Sequence, residues 1–301
     1  MSSKPTHRPP DEMADWRPPD EMADFLWRVP NAGFTWSRCE VIGQAKRHRV
    51  LRPLPSAVRV YAPLLSQSGI HRESVLLPGI HRDFVGIEPT EDGTLAFANR
   101  YGLLGMPKGL SAIVDGRPIL AETLAAWQFA HTELRLALTL HDHIQKERLR
   151  ELASVITWSH GGVHYRDNER AVTIASPQDR PDILARFQDG DLIEPAKWFL
   201  QRLVNQNLDR FTVTARLLWD TRKLGKFTVH IVPKSLIGCM WLLFAKELEG
   251  RSYRQCRHCL RWFEIGGSRS ARADKQFCTA SCKAAFHSPN EKSRREKEVS
   301  K

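Results

Sequence analysis

The sequence predicts an α+β protein, a mixed helix and antiparallel-sheet domain followed by a C-terminal four-cysteine module. Three observations carry this reading. Several stretches repeat apolar residues with a helical period. The stretch 211–232 alternates apolar and polar residues as paired strands do. Four of the six cysteines of this 301-residue chain form two close pairs near its end.

Taken in order, residues 1–30 are polar and proline-rich. They hold a tandem duplication, RPPDEMAD at Arg8–Asp15 and again at Arg17–Asp24. A nine-residue period is too short for a solenoid unit, so this stretch is expected to be a disordered arm. Residues 31–118 alternate short apolar runs (Val50–Leu54, Val58–Leu65, Phe84–Ile87) with Pro and Gly, which suggests short strands and loops. The tetrad GIHR occurs twice there, at Gly69–Arg72 and Gly79–Arg82, and reads as a local duplication.

Residues 119–153 are expected to be helical. Leu124, Trp127, His131, Leu134 and Leu138 share one face, which makes His131 a packed core residue. Val155–Trp158 and Val172–Ile174 are β-prone and flank Gly161–Gly162, which predicts a hairpin over 154–176. Helix resumes near Pro195, with Ala196, Phe199, Leu200 and Leu203 on one face. A second hairpin over 211–232 sets Phe211, Val213, Ala215, Leu217 and Trp219 beside Phe227, Val229 and Ile231. That apolar face is expected to pack on a core, with His230 on the polar face. Ser235 caps a last long helix and Gly250 ends it. The helix is apolar almost all round and therefore buried, with Cys239 a core residue. It runs straight into the cysteine module, so the module is expected close to the domain. Cys39 carries no signal of its own.

Composition fits a globular chain, 42% hydrophobic and 26% charged. The net charge is +11, and residues 251–301 hold thirteen Lys/Arg against five Asp/Glu, a surplus of eight. Such a field attracts polyanions. The longest clean apolar run, Leu236–Ala245, is too short to span a bilayer. No secretory h-region precedes it, so a cytoplasmic location is the default expectation, with no membrane partner. There, clustered cysteines are metal ligands more often than disulfides.

Cys256 and Cys259 form a C-x2-C pair, and Cys278 and Cys282 a C-x3-C pair. This is the spacing of a four-thiolate zinc site. The first pair needs a tight knuckle, which Cys256-Arg257-His258-Cys259 fits. Leu260, Trp262 and Phe263 follow, with Trp262 and Phe286 read as module core. Gly266 and Gly267 permit a hairpin turn. Cys278 and Cys282 sit one helical turn apart, with Thr279 or Ser281 starting the helix. Knuckle, hairpin, then a helix carrying the last ligands is a treble-clef or zinc-ribbon arrangement. Four cysteines fill the coordination shell, so one zinc ion would be structural, not catalytic. His287 is a candidate substitute ligand, and His258 between two ligands is not.

Around the cysteines lie Arg254, Arg257, Arg261, Arg269, Arg272, Lys275 and Lys283, residues suited to phosphate contacts. The segments YRQCRHCLRWFE and RADKQFCTASCKAAF resemble the CGNR-type zinc finger, which follows a helical domain in bacterial stress-induced transcription regulators. The resemblance covers about forty residues, and Cys282 is followed here by Lys283-Ala284-Ala285 in place of the family's namesake sequence. It implies that the four cysteines bind zinc and that DNA is held by the basic finger.

The expected organisation is an arm (1–30), an α+β domain (31–250), a zinc module (251–288) and a charged disordered tail (289–301). The expected function is nucleic-acid binding, DNA in a bacterial transcriptional regulator, with an effector or protein partner sensed by the large domain. An RNA-binding or protein-interaction zinc module is the first alternative, and an enzyme in the large domain the second. Against the enzyme, the chain lacks G-x-S-x-G, a P-loop and a strand-following G-x-G-x-x-G. Residues 260–277 contain no histidine for a nuclease. His160 and His164 flank a Gly-Gly turn, and His141 and His143 fall on different helix faces.

Overall fold

A computed structural model describes residues 27–61, 79–106, 109–220, 226–250, 252–260, 262–265 and 274–288. The tandem repeat, the first GIHR copy and the C-terminal tail lie outside these residues. The described chain starts with β1 (Trp27–Pro30), β2 (Phe34–Val41), β3 (His48–Pro53) and β4 (Val58–Tyr61). Two helices follow, α1 (Ile80–Val85) and α2 (Glu91–Tyr101), then β5 (Leu110–Val114) and β6 (Arg117–Ala121). β1 pairs with β4, while β3, β2, β5 and β6 form a four-stranded antiparallel sheet in that order. Leu51 and Glu122 exchange two backbone hydrogen bonds of 2.8 and 3.0 Å, which joins β3 to the end of β6 and closes the sheet on itself. Its interior is small: Cys39, Val41, Val50, Ala112 and Ala121.

The expectation of strands and loops over 31–118 therefore holds only in part. Phe84 lies in α1, and α2 is a full helix. Its signal was a cap: Thr90 accepts from the Gly93 N–H, with Glu91 and Asp92 in the first turn complementing the helix dipole.

The helical core comes next: α3 (Leu124–Gln145), α4 (Leu149–Ala153), the meander β7 (Ile156–Ser159), β8 (Gly162–Arg166) and β9 (Ala171–Ala175), then α5 (Pro181–Leu184) and α6 (Ile193–Arg210). The α3 stripe faces inward as the period predicts. Trp127, His131, Leu134 and Leu138 are buried, and the His131 ring is hydrogen-bonded at 3.1 Å to the Val85 carbonyl. The helix starts later than expected, because residues 117–121 belong to β6. The hairpin over 154–176 has an extra member: β8 lies between the two β-prone stretches and pairs with both. Ala196, Phe199, Leu200 and Leu203 of α6 are buried as expected.

β10 (Val213–Asp220) and β11 (Lys226–Pro233) pair in register from Val213↔Pro233 to Asp220↔Lys226. Here the expected facing holds at the first pair, where Val213 lies against Gly238 and Pro233 is buried, and fails at the next pair of the same face. Ala215 and its partner Ile231 are exposed, Ile231 by 52%, while Val232 packs on the core. Phe211 is buried but belongs to the end of α6, and Thr212 has φ +54°, so the strand begins after it.

α7 (Leu236–Leu248) is the central buried helix, with Ser235 accepting from the Gly238 N–H and Trp241, Met240, Cys239 and Phe244 fully enclosed. Buried Glu122 ties it to the sheet. The carboxylate accepts N–H groups from Leu104, Gly105 and Met106 at 3.0, 2.7 and 3.1 Å, and the Leu104 carbonyl accepts from Ile237. Among the described residues, no helix is long and apolar enough to cross a membrane.

Candidate metal centre and its basic surround

Leaving α7, the chain forms β12 (Ser252–Gln255) and β13 (Trp262–Ile265), paired from Ser252↔Ile265 to Gln255↔Trp262. The knuckle between them turns tightly. Leu260, at φ +57°, donates its N–H to the Cys256 carbonyl at 2.9 Å. Arg257 donates its backbone N–H to the Gln276 carbonyl at 3.1 Å, which lays the segment bearing the third cysteine beside the knuckle. Thr279 then caps α8 (Ala280–Phe286) by accepting from the Cys282 N–H at 3.1 Å. Of the two expected starters, the structure uses Thr279.

These turns bring Cys256, Cys259, Cys278 and Cys282 together, with all four sulfurs within 4.8 Å of one another. Cys259 to Cys278 is 3.6 Å and Cys278 to Cys282 is 3.4 Å. Four zinc–sulfur bonds of about 2.3 Å at tetrahedral angles need sulfurs roughly 3.8 Å apart, so the donor set fits one ion with little adjustment. The module can hold one metal ion, consistent with one structural zinc. Among the described residues this is the one group of three or more His, Cys, Asp or Glu side chains able to do so.

The site's electrostatics favour thiolates unevenly. Burial opposes ionisation of Cys256, yet the backbone N–H groups of Cys259, Cys278 and His258 bring its thiol down to about 6. Burial, with hydrogen bonds among Cys282, Cys259 and Cys256, pushes Cys278 up to about 12. Cys256, Cys259, Cys278 and Cys282 would give up these shared protons on holding an ion, since a metal-bound thiol is deprotonated outright. Phe263, Ile265, Phe277 and Phe286 pack beneath the sulfurs. His287 is exposed and lies edge-on to Phe277 and Phe286, outside the cysteine group, and His258 is also outside it. His164 pairs with Thr173 Oγ1 at 3.3 Å on β8, and His160 occupies a left-handed turn position, so the two form no site.

The basic residues fall into two sets. Arg254, Arg257, Lys275 and Lys283 lie on the described elements of the module; Arg261, Arg269 and Arg272 lie outside the described residues. Arg254 donates to the Lys275 carbonyl at 3.2 Å and Arg257 to Gln276 Oε1 at 3.0 Å, which orients both guanidinium groups. The Lys275 ammonium sits 5.4 Å from the Phe263 ring centre, and Lys283 is exposed on α8.

Trp262 departs from the expectation that it forms module core. Strand alternation turns Phe263 and Ile265 inward and Trp262 to the opposite face, against α1. Its indole N–H donates to Asp83 Oδ1 at 2.8 Å, and the Arg82 guanidinium lies 5.8 Å from its ring centre. A Cβ on Gly79 would collide with Cγ of Trp262, and Gly79 has φ +79°, so glycine is needed there twice over. Asp83 is held in turn by the Tyr101 hydroxyl at 2.6 Å. Next to it, fully buried His81 donates Nε2–H to Glu247 Oε2 at 2.8 Å, and Arg82 pairs with the same carboxylate. Burial lowers the pKa of His81, against the pull of the Glu247 carboxylate. The second GIHR copy is therefore the seat of the module. The signal was in the sequence as a repeat, but nothing in it named the partner.

Comparison of the chain with protein-family models, with curated proteins and with solved structures finds no match.

Proposed function

We propose that this protein is a zinc-stabilised nucleic-acid-binding protein, a bacterial DNA-binding transcriptional regulator. The observation that carries the reading is the set of exposed or half-buried cations, Arg254, Arg257, Lys275 and Lys283, grouped on a module whose shape four cysteines fix. Guanidinium groups already oriented by one hydrogen bond each lose less entropy on meeting a phosphate. The charge surplus of residues 251–301 and the resemblance to the CGNR-type finger support the same reading. In this account zinc supplies shape, the cations hold phosphates, and the large domain senses an effector or partner.

The test is binding of the zinc-loaded full chain to DNA, in duplex and single-stranded form, over a range of salt. Affinity should fall steeply as salt rises, and Lys283→Ala should lower the salt slope by about one. No binding to either form at low salt would overturn the reading.

A further inference from the structure

Beside the metal centre an open cleft of about 490 Å³ is lined by Tyr253, Arg254, Gln255, Arg257, Trp262 and Gln276. We propose that it receives one unpaired nucleobase together with an adjacent phosphate, so that the DNA engaged here is single-stranded at the point of contact. This rests on the nucleic-acid reading above and names the form of its ligand.

Shape is the first argument. A duplex shows its base edges in grooves and is read by elements that protrude, such as a helix or a ribbon. A concave site reaches a base only when that base has left the stack. The volume falls within the range of about 300–1,000 Å³ typical of small-ligand sites.

Chemistry is the second argument. The lining joins two aromatic rings, two amides and two guanidinium groups, with no carboxylate. Register places Gln255 opposite Trp262, and Tyr253 two residues before Gln255, so ring, amide and ring share one face of the hairpin. Rings and guanidinium planes stack on bases of any sequence. Gln276 Oε1 is taken by Arg257, which leaves its amide N–H groups as donors. Exposed Gln255 offers both a donor and an acceptor to a base edge. Among the described residues, Arg254 and Arg257 each spend a single side-chain N–H of five, at the Lys275 carbonyl and at Gln276, and the others suit a phosphate.

Preorganisation is the third. Trp262 is clamped from behind by Asp83 and Gly79, so one wall of the cleft is already in place before a ligand arrives.

The experiment measures fluorescence anisotropy of a labelled mixed-sequence DNA strand, and of the duplex made from it, with zinc-loaded full-length protein at one moderate salt concentration. The single strand should bind about tenfold tighter or more, the range set by stacking one base. Gln255→Ala should lower single-strand affinity about two- to tenfold, the loss of one hydrogen bond, with zinc content and duplex affinity unchanged. Equal affinity for strand and duplex, or single-strand affinity untouched in Gln255→Ala, would overturn the cleft assignment while leaving nucleic-acid binding intact. No binding to either form would overturn both.

Discussion

In the large domain, besides the small sheet interior, a single large cluster of buried apolar side chains runs from Val29 to Phe244 and includes the fully enclosed rings of Trp127, Phe84, Trp241 and Phe244. In the module the corresponding cluster is Phe263, Ile265, Phe277 and one of the cysteines themselves, Cys256. The first can fold on hydrophobic burial. The second is far below the size at which an apolar core suffices, and small domains of that kind rely on a metal or a partner surface. This module has the means for both, a four-thiolate site on one side and the α1 seat for Trp262 on the other. The contrast also separates roles. The domain's polar interior, such as Glu122 with its three backbone donors, serves connection. In the module Arg257, Lys275 and Lys283 are instead exposed.

The largest test of this contrast is removal of the metal. Chelation, or Cys278→Ser, should take zinc from one per chain to none and unfold the module, since structural zinc in such modules contributes about 10–16 kcal/mol. The large domain should keep its helical circular dichroism. Metal content unchanged in Cys278→Ser would break the ligand assignment. The mirror experiment is Trp241→Ala, which should cost the domain about 3–5 kcal/mol in denaturant unfolding while zinc stays at one per chain.

A smaller effect sharpens the boundary between the regions. Trp262→Ala should cost about 1–3 kcal/mol, less than a fully buried tryptophan, because its ring is half-exposed to the cleft. Calorimetry should then show the module melting in a separate, earlier transition with zinc retained until it melts. Gly79→Ala should do the same, through its left-handed φ and the clash with the indole. A single unshifted transition in both variants would mean that the seat contributes nothing to docking.

The smallest effect is one of pH. Burial tends to raise the pKa of Glu247, but the His81 and Arg82 donors outweigh it and hold the carboxyl down at about 2. A folded-state value below the ordinary 4.5 stabilises the native protein above that pH, and the stabilisation is lost as pH falls from 4.5 towards 2. The gap in melting temperature between the parent protein and Glu247→Gln should thus be widest above pH 4.5 and narrow below it. A gap constant from pH 6 to 3 would show that the charge of Glu247 is irrelevant to the seat.

Much of this was legible beforehand, and the misses have definite causes. The stripe Trp127, His131, Leu134, Leu138 and the cap at Ser235 are local patterns, and the structure keeps them. Helix α2 was missed because short apolar runs outweighed its Thr90 cap. The apolar face of β10 and β11 was read as uniformly buried, whereas burial fades from Pro233 to Ile231 along it.

By itself the sequence determined the metal centre and the main helices. Cysteine spacing dictates where two short turns can aim their sulfurs, and helical periodicity dictates which face is buried. Tertiary structure alone decided that Trp262 belongs to a docking seat and that GIHR at 79–82 builds it. It alone closed the sheet through Leu51 and Glu122, and it alone framed the cleft. Each of these joins residues far apart in the chain, Asp83 and Trp262 by 179 positions. Local propensity carries no information about which distant surface will meet an exposed indole; packing of the whole chain supplies it.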